Sequence, residues 1–358
     1  MLLLISLFSV SLFYIIDFFH IQLGCKYILR CVISIVLSYY CAFCCSNFTD
    51  YEHYATFYHY IDTITIGLNT ILDRSGFSIT EPGYLLLAIL SSKVGLSYTG
   101  FLFLLLIPTN MLLLSFFSQT KYGALSLLMF LSTAFYVQQA NITRQMIAVS
   151  IFFYSLKYLK NRELKKYSIS IIIAGTFHLT SLLLFIFYFL NPKKSKYKLL
   201  LICWGISLCF AIRLIPANIL LDIMNRLYLS YYSNYFTTKI ETMAYEPRWL
   251  YNIIVLGAFI VLPRIKDRKY ILIFNLFVLG MIFENLKVAM PIFYRLSYYF
   301  VPLIVIVVPL MFQCLFKNKN PINIKFFKII LFVLFIRAIY FLAIVKEVVV
   351  LPFSAIFN

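Results

Sequence analysis

The sequence predicts an all-α polytopic integral membrane protein of ten to twelve transmembrane helices, a count that follows from about 20 apolar residues per crossing. Three observations carry this. Of 358 residues, 63% are hydrophobic and only 12% are charged, whereas a soluble domain averages about 25% charged. Mean hydropathy is +0.91, which leaves too little polar surface to face water. Apolar runs of spanning length also recur along the chain, with basic residues in the connections. No stretch reads as a separate soluble domain. Residues 1–358 are therefore read as a single transmembrane domain with two long polar loops, 46–81 and 218–247.

The runs follow in order. Leu2–Phe19 has no basic start and no small-residue cleavage site, so it reads as a retained span and not as a signal peptide. Ile28–Cys45 is the second span. After the first polar loop come Tyr98–Phe117, Tyr122–Gln138 and Asn141–Leu159. Then follow Leu199–Pro216, Trp249–Pro263, Ile271–Asn285, Leu296–Phe316 and Phe326–Val345. Two stretches are ambiguous. Pro82–Gly95 is short for a crossing, and Tyr167–Leu190 is interrupted by Gly175 and His178.

Charge orients the set. The net charge is +18, from 31 Lys+Arg against 13 Asp+Glu. In a soluble protein such an excess points to nucleic acid; here it marks cytoplasmic helix ends, and no nucleic-acid partner is expected. Basic clusters lie at Lys26/Arg30, Lys157–Lys166, Lys193–Lys198, Arg264–Lys269 and Lys317–Lys328. Acidic residues gather in Asp50–Glu81 and Asp222–Glu246, which then face outward with the connection Gln138–Arg144. Two of the basic clusters flank Tyr167–Leu190, and both cannot be cytoplasmic if that stretch crosses once. Re-entrant segments near 82–95 and 167–190 resolve the parity and are the favoured reading. Such segments are tolerated at membrane depth only where protein or water covers them.

Ionisable residues in or beside spans need a reason. Arg144 lies with Asn141 and Gln145 on adjacent turns, beside Gln138 and Gln139. It either snorkels to headgroups or binds a phosphate or carboxylate with paired hydrogen bonds. His178 sits in an apolar stretch. Thr176, Thr180 and Ser181 are able to satisfy it there, and an imidazole is also able to take a proton or donate to phosphate. Arg295 lies among Tyr294, Tyr298 and Tyr299, as part of an aromatic belt or as a second cationic anchor. Asp50, Glu52 and Glu81 are the outer carboxylates. Glu81 precedes Pro82, where it is equally placed to favour a helix N-terminus. Arg248 and Trp249 mark an interface after the second loop.

Several chemistries are absent. There is no Gly-rich phosphate loop, paired-His metal motif or Gly-x-Ser-x-Gly elbow, so neither metal nor nucleotide cofactor is expected. Eight cysteines are present, mostly within apolar runs where Cys behaves as a small hydrophobe. Cys41, Cys44 and Cys45 cluster, but no His or second Cys pair completes a site.

Ordered short motifs then carry a resemblance. They are Asp50 with Tyr54, Glu81-x-Gly83-Tyr84, Arg144-Gln145-x-x-Ala148, the basic turn Lys160–Lys166, Ala174-x-x-Phe177-His178, and Arg295 with Tyr299-Phe300. Each is weak alone. Their order from Asn47 to Phe300 resembles the EpsG/Wzy family of bacterial polysaccharide polymerases. The resemblance implies a multi-pass protein of the bacterial cytoplasmic membrane. It would join oligosaccharide repeat units carried on undecaprenyl diphosphate at the outer face, making O-antigen, capsule or exopolysaccharide. Membrane lipid surrounds it, and a chain-length regulator is a candidate partner. On this reading Arg144 and Arg295 hold diphosphates. His178 orients a phosphate or takes the acceptor proton, with Glu81 or Asp50 as the rival base. Asn141, Gln145, Tyr54, Tyr84, Tyr299 and Arg248 are further candidates for holding substrate. A lipid-linked oligosaccharide flippase, or another polyprenyl-phosphate-dependent glycosyltransferase or ligase, remains the alternative.

Overall fold

The computed structural model describes residues 2–18, 23–44, 49–61, 81–120, 122–189, 197–216, 219, 248–261, 268–288 and 292–318. All regular structure among them is helical. The described residues form two compact units, one drawn from Met1–Phe189 and the other from Leu190–Ile324. By length and composition, three helical stretches suit a crossing: Gly24–Phe43, Tyr98–Phe117 and Phe293–Cys314. Shorter apolar helices accompany them. Among the described residues the chain is all-α, and its apolar helices are those of an integral membrane protein. The expected span Phe326–Val345 and the acids Asp222 and Glu246 lie outside the described residues.

The first unit contains α1 (Leu2–Phe18), α2 (Leu23–Cys44), α3 (Thr49–Tyr60), α4 (Pro82–Lys93), α5 (Tyr98–Phe117), α6 (Gly123–Leu131), α7 (Ala134–Asn141), α8 (Thr143–Asn161) and α9 (Leu164–Phe177). Helix α5 starts cleanly because Ser97 caps it, its side chain accepting from the Gly100 amide at 3.2 Å. It packs against α2 on one side and α8 on the other, burying Phe101, Leu106, Leu113, Phe116 and Phe117. Lipid tails are as apolar as leucine, so packing and hydrogen bonds must hold such helices together. A polar seam does so here. Asn110 donates to Ser38 at 2.9 Å, Gln139 donates to Asn110 at 3.1 Å, and Tyr136 donates to the Leu37 carbonyl at 2.7 Å.

Two segments differ from the sequence reading. Part of the expected loop 46–81 is helical, as α3. Asp50 and Glu52 in its first turn complement the helix dipole. Its tyrosines dock it, with Tyr51 hydroxyl 3.0 Å from Thr99 Oγ1 and Tyr58 donating to the Leu96 carbonyl at 3.0 Å. The expected continuous span Tyr122–Gln138 is instead broken between α6 and α7. The hydroxyls of Ser132 and Thr133 turn back onto the Met129 and Phe130 carbonyls, and Thr133 adopts an extended backbone.

The stretch 167–189 folds back on itself. Helix α9 stops at His178, whose backbone is extended at φ −155° and ψ 110°. The chain then returns as a 3-10 arm, Leu179–Phe189. The Tyr167 hydroxyl donates to the Leu184 carbonyl at 2.6 Å midway along the hairpin. At its open end, the Tyr188 hydroxyl donates to the Arg162 carbonyl at 2.7 Å, and the Arg162 guanidinium donates to the Tyr188 carbonyl. His178 is thus the tip of a helical hairpin, and the tip packs on α4. A Cβ placed on Gly83 would lie 2.5 Å from Thr176 Oγ1, so only glycine allows this approach.

The second unit contains α10 (Tyr197–Ala211), α11 (Trp249–Val261), α12 (Arg268–Leu286), α13 (Ile292–Ser297) and α14 (Ile304–Asn318). The expected span Leu296–Phe316 is interrupted near its start by a turn and a short 3-10 segment, Val301–Leu303, where Pro302 lacks the amide a continuous helix needs. That turn presses on α12, since a Cβ on Gly280 would meet the Val301 amide nitrogen at 2.8 Å. A buried polar seam joins α10, α11 and α12. Trp204 donates to Asn252 at 2.9 Å, and Asn252 and Asn285 exchange hydrogen bonds at 3.1 Å. Asn285 also donates to Ser207 at 3.2 Å.

Candidate active site

Glu81 has an extended backbone, at φ −78° and ψ 113°, and is followed by Pro82, whose fixed φ and missing amide suit the first position of α4. The carboxylate is well placed to cap its own helix, yet it makes no such bond. It turns away instead. Oε2 pairs with Nη1 of Arg144, and Oε1 lies 3.2 Å from Nδ1 of His178. Glu81 is 6% exposed, so this is a buried junction between the start of α4, the start of α8 and the hairpin tip.

Arg144 occupies the first turn of α8, where the positive end of the dipole disfavours a cation. Glu81 offsets that cost. Arg144 Nε also donates to the Tyr54 hydroxyl at 3.1 Å, and its guanidinium carbon lies 5.2 Å from the centre of that ring. Tyr54 in turn leans on Tyr84, with ring centres 5.9 Å apart. The His178 hydrogen bond and the Arg144 guanidinium both favour the carboxylate form of Glu81. His178 Nε2 is buried and makes no hydrogen bond among the described residues.

Asn141 ties α3 to this site. Its Oδ1 accepts from the Asp50 backbone amide at 3.2 Å, and its Nδ2 donates to Gln138 at 3.0 Å. Gln145 lies buried beside Arg144. The structure thus brings together Glu81, Arg144, His178, Tyr54, Tyr84 and Asn141. Asp50 joins them through its backbone.

Arg248 belongs to a second cluster, within the second unit. Its Nε lies 2.8 Å from Oε1 of Glu284, which is 2% exposed. Lys287 Nζ reaches the same oxygen at 2.5 Å, and Ser297 donates to Oε2 at 2.7 Å. The Tyr294 and Tyr298 hydroxyls lie 2.9 Å apart nearby. Arg295 is exposed in the last turn of α13, while Tyr299 is completely buried.

The EpsG family profile matches residues 27–354. The chain belongs to the EpsG family. Membership and the apolar helices together make it a membrane protein of polysaccharide biosynthesis. No curated protein and no solved structure matches the chain. Both clusters fall inside the EpsG match. Glu284 and Lys287 are the site-like residues that sequence reasoning passed over. The signal was a Glu-x-x-Lys pair at the end of an apolar run, with helical spacing that puts both on one face. It read as an ordinary span boundary.

Proposed function

We propose that this EpsG-family chain is a repeat-unit polymerase. It transfers an oligosaccharide from undecaprenyl diphosphate to a hydroxyl of a second lipid-linked unit, at the outer face of the bacterial cytoplasmic membrane. The observation that carries this is the buried meeting of Arg144, Glu81 and His178. A sugar diphosphate is already activated, so the reaction needs only two things from the protein. Negative charge developing on the leaving diphosphate must be stabilised, and the acceptor hydroxyl must lose its proton. A fixed arginine supports the first, and an imidazole with one nitrogen anchored supports the second. The basic clusters on either side of the hairpin favour a cytoplasmic open end, with the site facing outward.

The test is complementation of a polymerase-null strain, read by glycolipid electrophoresis with membrane abundance checked. Arg144→Ala should abolish the ladder of long products and leave the single repeat. Long polymer from Arg144→Ala at normal abundance would remove Arg144 from the mechanism. Loss of every repeat when the wild-type gene is deleted, single units included, would favour a flippase.

A further inference from the structure

We infer that His178 accepts the proton of the attacking hydroxyl at Nε2, and that Glu81 is the positioning residue that aims it; this rests on the polymerase reading above. Three features support the division of labour. First, both Glu81 oxygens are engaged, one by Arg144 and one by His178. A carboxylate held this way is a stable anion and a weak base. Second, a carboxylate on Nδ1 accepts that nitrogen's proton in a hydrogen bond. The neutral ring then carries its lone pair on Nε2, as imidazoles oriented by a carboxylate do. Third, Nε2 is buried and unpartnered among the described residues. Leaving such an atom unsatisfied is costly, and an arriving hydroxyl removes that cost.

The step balances within the site. The acceptor oxygen bonds to the anomeric carbon of the donor sugar. The bond from that carbon to the phosphate oxygen breaks, and its electron pair leaves with the diphosphate beside Arg144. The hydroxyl proton moves to Nε2, and the imidazolium keeps its Nδ1 proton on Glu81, whose charge stabilises it. Release of the Nε2 proton to diphosphate or water resets the ring. The competing role, in which His178 only steadies a phosphate, needs a donor at Nε2 and no base.

Glutamine separates the two, because it donates a hydrogen bond but takes no proton at neutral pH. The full chain in liposomes, supplied with a polyprenyl-diphosphate-linked repeat unit, gives kcat and KM from product lengths. His178→Ala and His178→Gln should both lose about 100-fold or more in kcat, with KM little changed. Imidazole added to His178→Ala should restore part of the rate. Glu81→Asp should retain more kcat than Glu81→Gln. A His178→Gln chain with near-normal kcat, or a His178→Ala loss confined to KM, overturns the assignment while leaving the polymerase intact. If the wild-type chain makes no polymer from the lipid-linked unit, the polymerase reading falls and this assignment falls with it.

Discussion

Single residues carry their meaning here through what they are paired with. Arg144 and His178 were legible in the sequence as polar intruders, because cations and imidazoles in apolar stretches are expensive. Their shared partner was less legible. Glu81 before Pro82 matches a helix start, and local rules alone assign it to capping. Only the tertiary fold turns its carboxylate toward residues 63 and 97 positions away. Glu284 was hidden for the opposite reason, since its sequence neighbourhood looks like an ordinary helix end. Its burial between Arg248 and Lys287 makes it sensitive to change. Removing one member of a buried ionic group strands the others, at a cost on the order of 3–5 kcal/mol. Glu284→Ala should therefore lower thermal stability in detergent sharply, measured by a melting scan. A melting temperature equal to that of the wild type would show that the cluster contributes nothing to holding the second unit together.

Among the elements, α4 and the α9 hairpin matter most for the site. The two hydroxyl residues at 132–133 broke a helix that hydropathy had read as continuous, because hydropathy does not register hydroxyls that bond back to the main chain. The hairpin was better forecast, since the parity of the basic clusters favoured a return over a single crossing. Its contact with α4 through Gly83 was not forecast, as close backbone approach leaves no pattern in one sequence. Alanine at Gly83 would favour the helix by about 1 kcal/mol on propensity alone. The added Cβ would nevertheless sit 2.5 Å from Thr176 Oγ1 and 3.0 Å from the Thr176 carbonyl oxygen. Gly83→Ala should thus push the hairpin tip from α4, loosen the Glu81–His178 contact and shorten the product ladder at normal protein abundance. Gly205→Ala in α10, where nothing lies within 4 Å, is the matched control and should leave the ladder unchanged. Equal behaviour of the two variants would show that the approach is dispensable.

For the whole molecule, composition decided the class, and charge bias favoured a return after Tyr167, where α9 and the 3-10 arm form a hairpin. The contacts inside each unit depend on side chains far apart in sequence, which composition does not encode. The topology has a direct check. Cysteine reporters introduced at Glu163 and Ser195 should react with an impermeant reagent from one side, and a reporter at Asp50 from the other. Labelling of the first two from opposite sides would mean that 167–190 crosses once. The winding of the hairpin arms has a further consequence. A 3-10 run of eleven residues is unusually long, since most stop at three or four. At about 2.0 Å per residue it measures about 22 Å. The fourteen residues of α9, at about 1.5 Å each, measure about 21 Å. The stretched winding therefore lets the shorter arm match the longer one, and Tyr188 arrives level with Arg162. Wound as an α-helix the arm would end about 6 Å short, and both bonds at the open end would be lost.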